Sequence, residues 1–166
     1  MSRHTSKVAL VPSAFFDAET AREILSGTVL LDEEDKVEYI SLPEFSAELV
    51  YSLSPVPEPV EGPVVRQAHQ PELYNVLKAI SGIDEHNKIV ASYSEGVLSL
   101  AIAQGGELLL ANVFEAADFT TAEYFIFMAV RKLQMNPEVS TIHFLTPLSP
   151  EEEMSLYRYF KSVEQP

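Results

Sequence analysis

The stretch KIVASYSEGVLSLAIAQGGELLLANVF, residues 88–114, decides the fold. Three apolar runs rich in β-branched and aliphatic residues (88–93, 97–103 and 107–114) are separated by two short turn signals. The first turn is Ser94-Glu95-Gly96. The second is Gly105-Gly106, where the lack of a Cβ lets both positions take positive φ, as a two-residue hairpin loop asks. Strands joined this tightly must be antiparallel neighbours, so a three-strand meander is expected.

Downstream of the meander, Thr120-Thr121-Ala122-Glu123 reads as a capping box opening a helix over 121–133. That helix is apolar around much of its circumference (Tyr124, Phe125, Ile126, Phe127, Met128, Val130), which predicts burial on more than one side. Asn136-Pro137 stops it. Residues 140–145 (STIHFL) then read as a fourth strand of the same sheet. Ser149-Pro150-Glu151-Glu152 is a second capping box with proline in the first turn. The helix it opens is expected to run to about residue 163, with Met154, Leu156, Tyr157 and Phe160 inward. Upstream, 72–80 is a short amphipathic helix with Leu73, Val76, Leu77 and Ile80 on one face, ended by Gly82.

The first third of the chain reads as a strand at 7–12 (KVALVP) and a helix at 18–26 capped by Asp17 and stopped by a left-handed Gly27. Strands follow at 28–31, 37–42 and 47–53. The run Asp32-Glu33-Glu34-Asp35 is expected to be a solvated hairpin tip, because it lacks the spaced ligands and turn glycine of a calcium loop. Between 54 and 71 five prolines fall among Glu, Val and Gln without period, which is the composition of a loop or insertion. The domain reading is thus a partial first lobe at 1–53, a proline-rich segment at 54–71 and a second lobe at 72–166.

The chain has 166 residues, 46% of them hydrophobic, enough for a real interior. It has no cysteine, hence no disulfide framework, thiolate nucleophile or cysteine zinc site. No apolar run reaches the roughly 20 residues of a membrane helix, and the first seven residues lack a secretory apolar core, so a cytoplasmic location is expected. Its 25 acidic and 11 basic residues leave a net charge of −14, which argues for solubility and against nucleic acid or anionic membranes as partners.

The motifs of chemistry are missing. No G-x-S-x-G elbow, G-x-x-x-x-G-K-S/T loop or G-x-G-x-x-G occurs. Of the four histidines (His4, His69, His86, His143), none pairs at a metal-motif spacing or has an acidic neighbour suited to a triad. Glu115 and Asp118 stand before the apolar helix, where capping and solvation account for them. The aromatics Tyr124, Phe125, Phe127, Tyr157 and Phe160 read as core, with the lining of a small-molecule pocket as the lower-ranked alternative.

Three antiparallel strands followed by helix, strand and helix resemble one lobe of the actin-like, or RNase H-like, fold. The segments at 8–16 (VALVPSAFF), 108–114 (LLLANVF), 122–128 (AEYFIFM) and 155–164 (SLYRYFKSVE) resemble an uncharacterised bacterial family with an actin-like ATPase fold. The resemblance implies two lobes with ATP and magnesium between them. It also implies that 7–12 and 18–26 correspond to the last strand and helix of a first lobe whose opening meander is absent here. The phosphate-hairpin position reads Ser92-Tyr93-Ser94-Glu95-Gly96, which leaves Ser94, Glu95 and Gly96 as the nucleotide-binding candidates. Where such proteins place a glycine pair for adenosine, this chain has Thr146-Pro147-Leu148. The expectation is therefore a non-catalytic actin-like module without cofactor, acting through a protein partner or as a homodimer. The alternative is a divergent nucleotide-binding protein or weak ATPase using ATP and magnesium.

Overall fold

A computed structural model describes residues 2–53 and 69–166. The proline-rich expectation at 54–71 lies mostly outside them. The chain divides into two compact units, Met1–Pro71 and Glu72–Pro166.

In the first unit, β1 (Ser2–Arg3) pairs in parallel with β5 (Gln70–Pro71). β2 (Val8–Pro12), β3 (Val37–Leu42) and β4 (Ala47–Ser52) form a separate antiparallel sheet in the order β2-β4-β3. Asp17 caps as expected, accepting the Glu19 amide, but the first turn is a 3-10 helix (Ala18–Thr20) before α1 (Ala21–Ser26). Gly27 is not left-handed: its φ is −70°, and its amide returns to the Glu23 and Leu25 carbonyls. Residues 28–31 are not a strand either. The Thr28 and Val29 amides both donate to Leu25 O, extending the helix end as turns, while Val29 and Leu31 pack onto Ala21, Leu25 and Val50. Burial of alternate residues came from capping a helix rather than from a sheet.

The acidic run is correspondingly no hairpin tip. Asp35 is buried, receives Lys7 Nζ at 2.6 Å and the Asp32 amide at 2.7 Å, and is reached by the Ser52 hydroxyl at 3.4 Å. Arg22 donates to the Asp32 and Asp35 carbonyls. Only Asp32, Glu33 and Glu34 face water.

The second unit begins with α2 (Glu72–Ser81), whose Leu73, Val76, Leu77 and Ile80 are all buried as the spacing demanded. β6 (Asn87–Ser94), β7 (Val97–Gln104) and β8 (Glu107–Glu115) are the antiparallel meander. After α3 (Phe119–Lys132), β9 (Thr141–Phe144) runs parallel to β6. α4 (Pro150–Tyr157) is shorter than expected, because the chain turns back into β10 (Ser162–Glu164), parallel to β9. The sheet order is β10-β9-β6-β7-β8.

Alternation along these strands feeds two layers. Ile89, Ala91, Leu98, Leu100, Ile102, Ile142 and Phe144 pack with Ala122, Ile126, Ala129 and Val130 of α3 and with Leu156 and Phe160. The opposite face carries Val90, Ser92, Ser99 and Ala101, and there the Ser92 hydroxyl donates to the Glu72 carboxylate of α2 at 2.7 Å. α3 is buried on one side only: Tyr124 and Met128 are exposed. So are Met154 and Tyr157 of α4, because β10 takes up the apolar register after Tyr157. Of the two glycines in the second hairpin only Gly105 is left-handed, with φ 57°. The ladder instead absorbs a bulge, pairing Ile102 with Leu110 and Ala103 with Leu108.

Candidate functional site

β6, β8, β9 and β10 all point the same way, so their carboxyl ends gather at one rim of the second sheet. This rim holds the candidate hairpin. Glu95 and Gly96 are its two loop residues, with φ 54° and 73°, the left-handed pair that a two-residue hairpin needs. Ser94 closes β6 opposite Val97.

Two neighbours latch the hairpin. The Ala116 amide donates to Gly96 O at 2.8 Å, and the Tyr93 hydroxyl donates to Ala116 O at 2.8 Å. From the other side the Tyr93 amide donates to the Thr146 hydroxyl at 3.0 Å. Burial pushes the Tyr93 phenol above its usual range, and the Asp118 and Glu152 carboxylates add to this. Ser94, Glu95 and Gly96 thus stand beside residues 115–118 and the Thr146-Pro147-Leu148 loop.

Each of the two helices that open at this rim has one first-turn amide taken by its own cap. α3 is capped by Asp118, whose Oδ1 accepts the Thr121 amide at 2.8 Å. The Thr120–Glu123 capping box is therefore not formed, because α3 starts two residues earlier than that box requires and Thr120 and Glu123 lie inside the helix. Hydrogen bonds from Thr121 hold the Asp118 carboxyl below its ordinary value. α4 has the capping box expected of it: the Glu152 amide donates to Ser149 Oγ, and the Ser149 amide donates to Glu152 Oε2 at 2.8 Å. Even the Leu148 amide is taken, by Gln165 Oε1 at 2.8 Å.

The charges at the rim are of one sign. From residue 89 to 130 there is no lysine, arginine or histidine, and the basic residues of α3, Arg131 and Lys132, close its far end. Glu95, Glu115, Asp118, Glu151 and Glu152 all belong to the rim segments. Among the described residues no three acidic or histidine side chains group as a metal ion would require. His143 lies elsewhere, with Nε2 3.4 Å from Glu85 Oε1, a pairing that sequence distance concealed.

A profile of the family described as "Protein of unknown function (DUF3822)" matches residues 3–163. The chain belongs to this family. A crystal structure from Bacteroides thetaiotaomicron VPI-5482, described as a protein with actin-like ATPase fold and unknown function, superposes with a TM-score of 0.75 at 18% identity. The alignment covers 99% of this DUF3822 chain and 66% of that one, so the chain spans just under two thirds of its length. The fold is thus the actin-like ATPase fold. No curated protein matches the chain. No helix among the described residues is long and apolar enough to cross a membrane.

Proposed function

We propose that this chain is a non-catalytic actin-like module that works in the cytoplasm through protein–protein contacts, without nucleic acid or membrane as partner. The observation that carries this reading is the outer side of β8. Among the described residues no strand pairs beyond it. The Ala116 amide bonds Gly96 O, so even-numbered residues of this ladder face β7, and the backbone of Ala111 and Val113 faces outward. A nine-residue edge of this kind is a template for another chain. It is guarded but not closed: the Asn112 carboxamide accepts the Val113 amide at 2.8 Å, and the bulge at Leu109 breaks the ladder lower down.

The rim supports the same reading from the other side. A triphosphate is bound by cations, metal ions or unused backbone amides. Around Ser94, Glu95 and Gly96 the nearest helix ends are self-capped and the neighbouring charges are carboxylates. ATP with magnesium fits these residues poorly.

A photo-crosslinking residue placed at Ala111 or Val113, in cells expressing the chain, tests the reading. Discrete crosslinked species are expected from those positions and not from Val139, which is more open to solvent but remote from the edge. Equal behaviour at all three positions overturns it.

A further inference from the structure

The solvent side of α3 carries Tyr124 and Met128, 62% and 41% exposed, one turn apart. Arg131 follows three residues later on the same face, with Lys132 beside it. The patch spreads sideways through aromatic contacts. Tyr124 meets Phe125 at 5.8 Å between ring centroids, and Phe125 stacks on Phe114 of β8 at 4.8 Å. On the other flank Phe127 meets half-exposed Tyr159 at 4.4 Å. An apolar patch of this kind with a polar rim marks an interaction surface.

The charges at its two ends identify what covers it. A uniformly basic partner meets Arg131 and Lys132; a uniformly acidic one meets the exposed carboxylate of Asp118. A helix of the same polarity laid antiparallel satisfies both ends, and a second copy of α3 is such a helix. Tyr124 stands six residues after Asp118 and seven before Arg131 (124 − 118 and 131 − 124), so an axis through Tyr124 brings the two ends into register. We propose that two copies of this chain associate about a two-fold axis at Tyr124, through an antiparallel α3–α3 contact. Tyr124 then packs on its own mate, and Arg131 of each copy lies beside the Asp118 capping turn of the other, an isologous arrangement. The inference rests on the reading of the chain as a contact module and names its partner.

Because the chain has no cysteine, Tyr124→Cys supplies a single thiol. A symmetric disulfide needs Cα atoms about 4.4–6.8 Å apart, a condition met at the axis. At about 0.15 M salt, where screening limits repulsion between acidic copies to a Debye length of about 8 Å, sedimentation equilibrium is expected to show a reversible dimer. Tyr124→Cys should oxidise to a covalent dimer while Val139→Cys forms no intermolecular disulfide, and Tyr124→Glu or Arg131→Glu should weaken association at least tenfold. Tyr124 is exposed, so circular dichroism of its variants should match the parent. A strict monomer at high concentration, or crosslinking of Tyr124→Cys no faster than Val139→Cys, overturns the proposal. A dimer that survives Tyr124→Glu but is lost with Val113→Pro also overturns it, while leaving the broader contact reading in place through the β8 edge.

Discussion

The Asp118 carboxylate accepts the Thr121 amide at 2.8 Å, closing the end of α3 that lies two residues from the hairpin latch at Ala116. A negative side chain therefore caps the helix end at this rim. Asn caps as well as Asp, whereas Ala cannot. Asp118→Asn should melt like the parent at neutral pH and Asp118→Ala lower. The folded carboxyl titrates below its ordinary 3.8, so its contribution is full above that value and lost as pH falls through the folded one. Acidification should therefore cost the parent more than Asp118→Asn. Equal melting of the Asn and Ala variants would sink this assignment.

A second titration belongs to the first unit. The hydrogen bond from Lys7 comes first among the causes that lower Asp35, and its bond to Asp35 comes first among those that raise Lys7. Asp35 contributes above about 3.8 and loses its contribution in acid. Lys7 contributes below its ordinary 10.5 and loses its share as pH rises through the elevated value. Urea unfolding across pH should show a plateau between these limits. Asp35→Ala should lower that plateau and flatten both shoulders; unchanged shoulders contradict the pairing.

Neighbouring glycines should differ sharply. Gly105 is left-handed, and a Cβ there comes within 3.8 Å of the His86 ring, whereas Gly106 has open space and no positive φ. Gly105→Ala should cost about 1 kcal/mol, the ordinary penalty of a left-handed L-residue, and Gly106→Ala should be nearly neutral. Gly96, with φ 73°, should behave like Gly105. Denaturant midpoints decide, and equal costs at 105 and 106 would refute the hairpin geometry.

Within α3 the two faces should separate cleanly. Ile126 is fully buried under the sheet, so Ile126→Ala should cost roughly 2–5 kcal/mol. Tyr124→Ala on the open side should change monomer stability by no more than about 0.5 kcal/mol. A large monomer penalty at Tyr124 would mean that this face packs within the chain.

Features governed by short-range periodicity were readable in advance. Leu73, Val76, Leu77 and Ile80 mark α2 because all four must meet the sheet on one helix face, and the Ser149–Glu152 box needs only adjacent residues. Features decided by competition were not. Thr120 and Asp118 are both competent caps, and which one wins depends on how β8 delivers the chain to α3. Residues 28–31 carry apolar alternation compatible with either strand or turn, and residues 158–163 an apolar spacing compatible with either helix or strand; tertiary contacts chose a turn at Val29 and a strand at Val163. At the candidate site, the tight turn at Glu95-Gly96 was legible from its glycine. The latch was not, since the Tyr93–Thr146 bond joins residues 53 apart in sequence.

The central claim is that the rim around Ser94, Glu95 and Gly96 does not serve a nucleotide. Thermal unfolding with increasing ATP and magnesium tests it most directly, because a ligand present at a hundred times its dissociation constant stabilises the folded state by about 2.7 kcal/mol. The melting temperature is expected to stay constant through millimolar ATP. A saturable rise that disappears in Glu95→Ala or Gly96→Ala, with the variants themselves folded, contradicts the account and returns the chain to the nucleotide-binding reading.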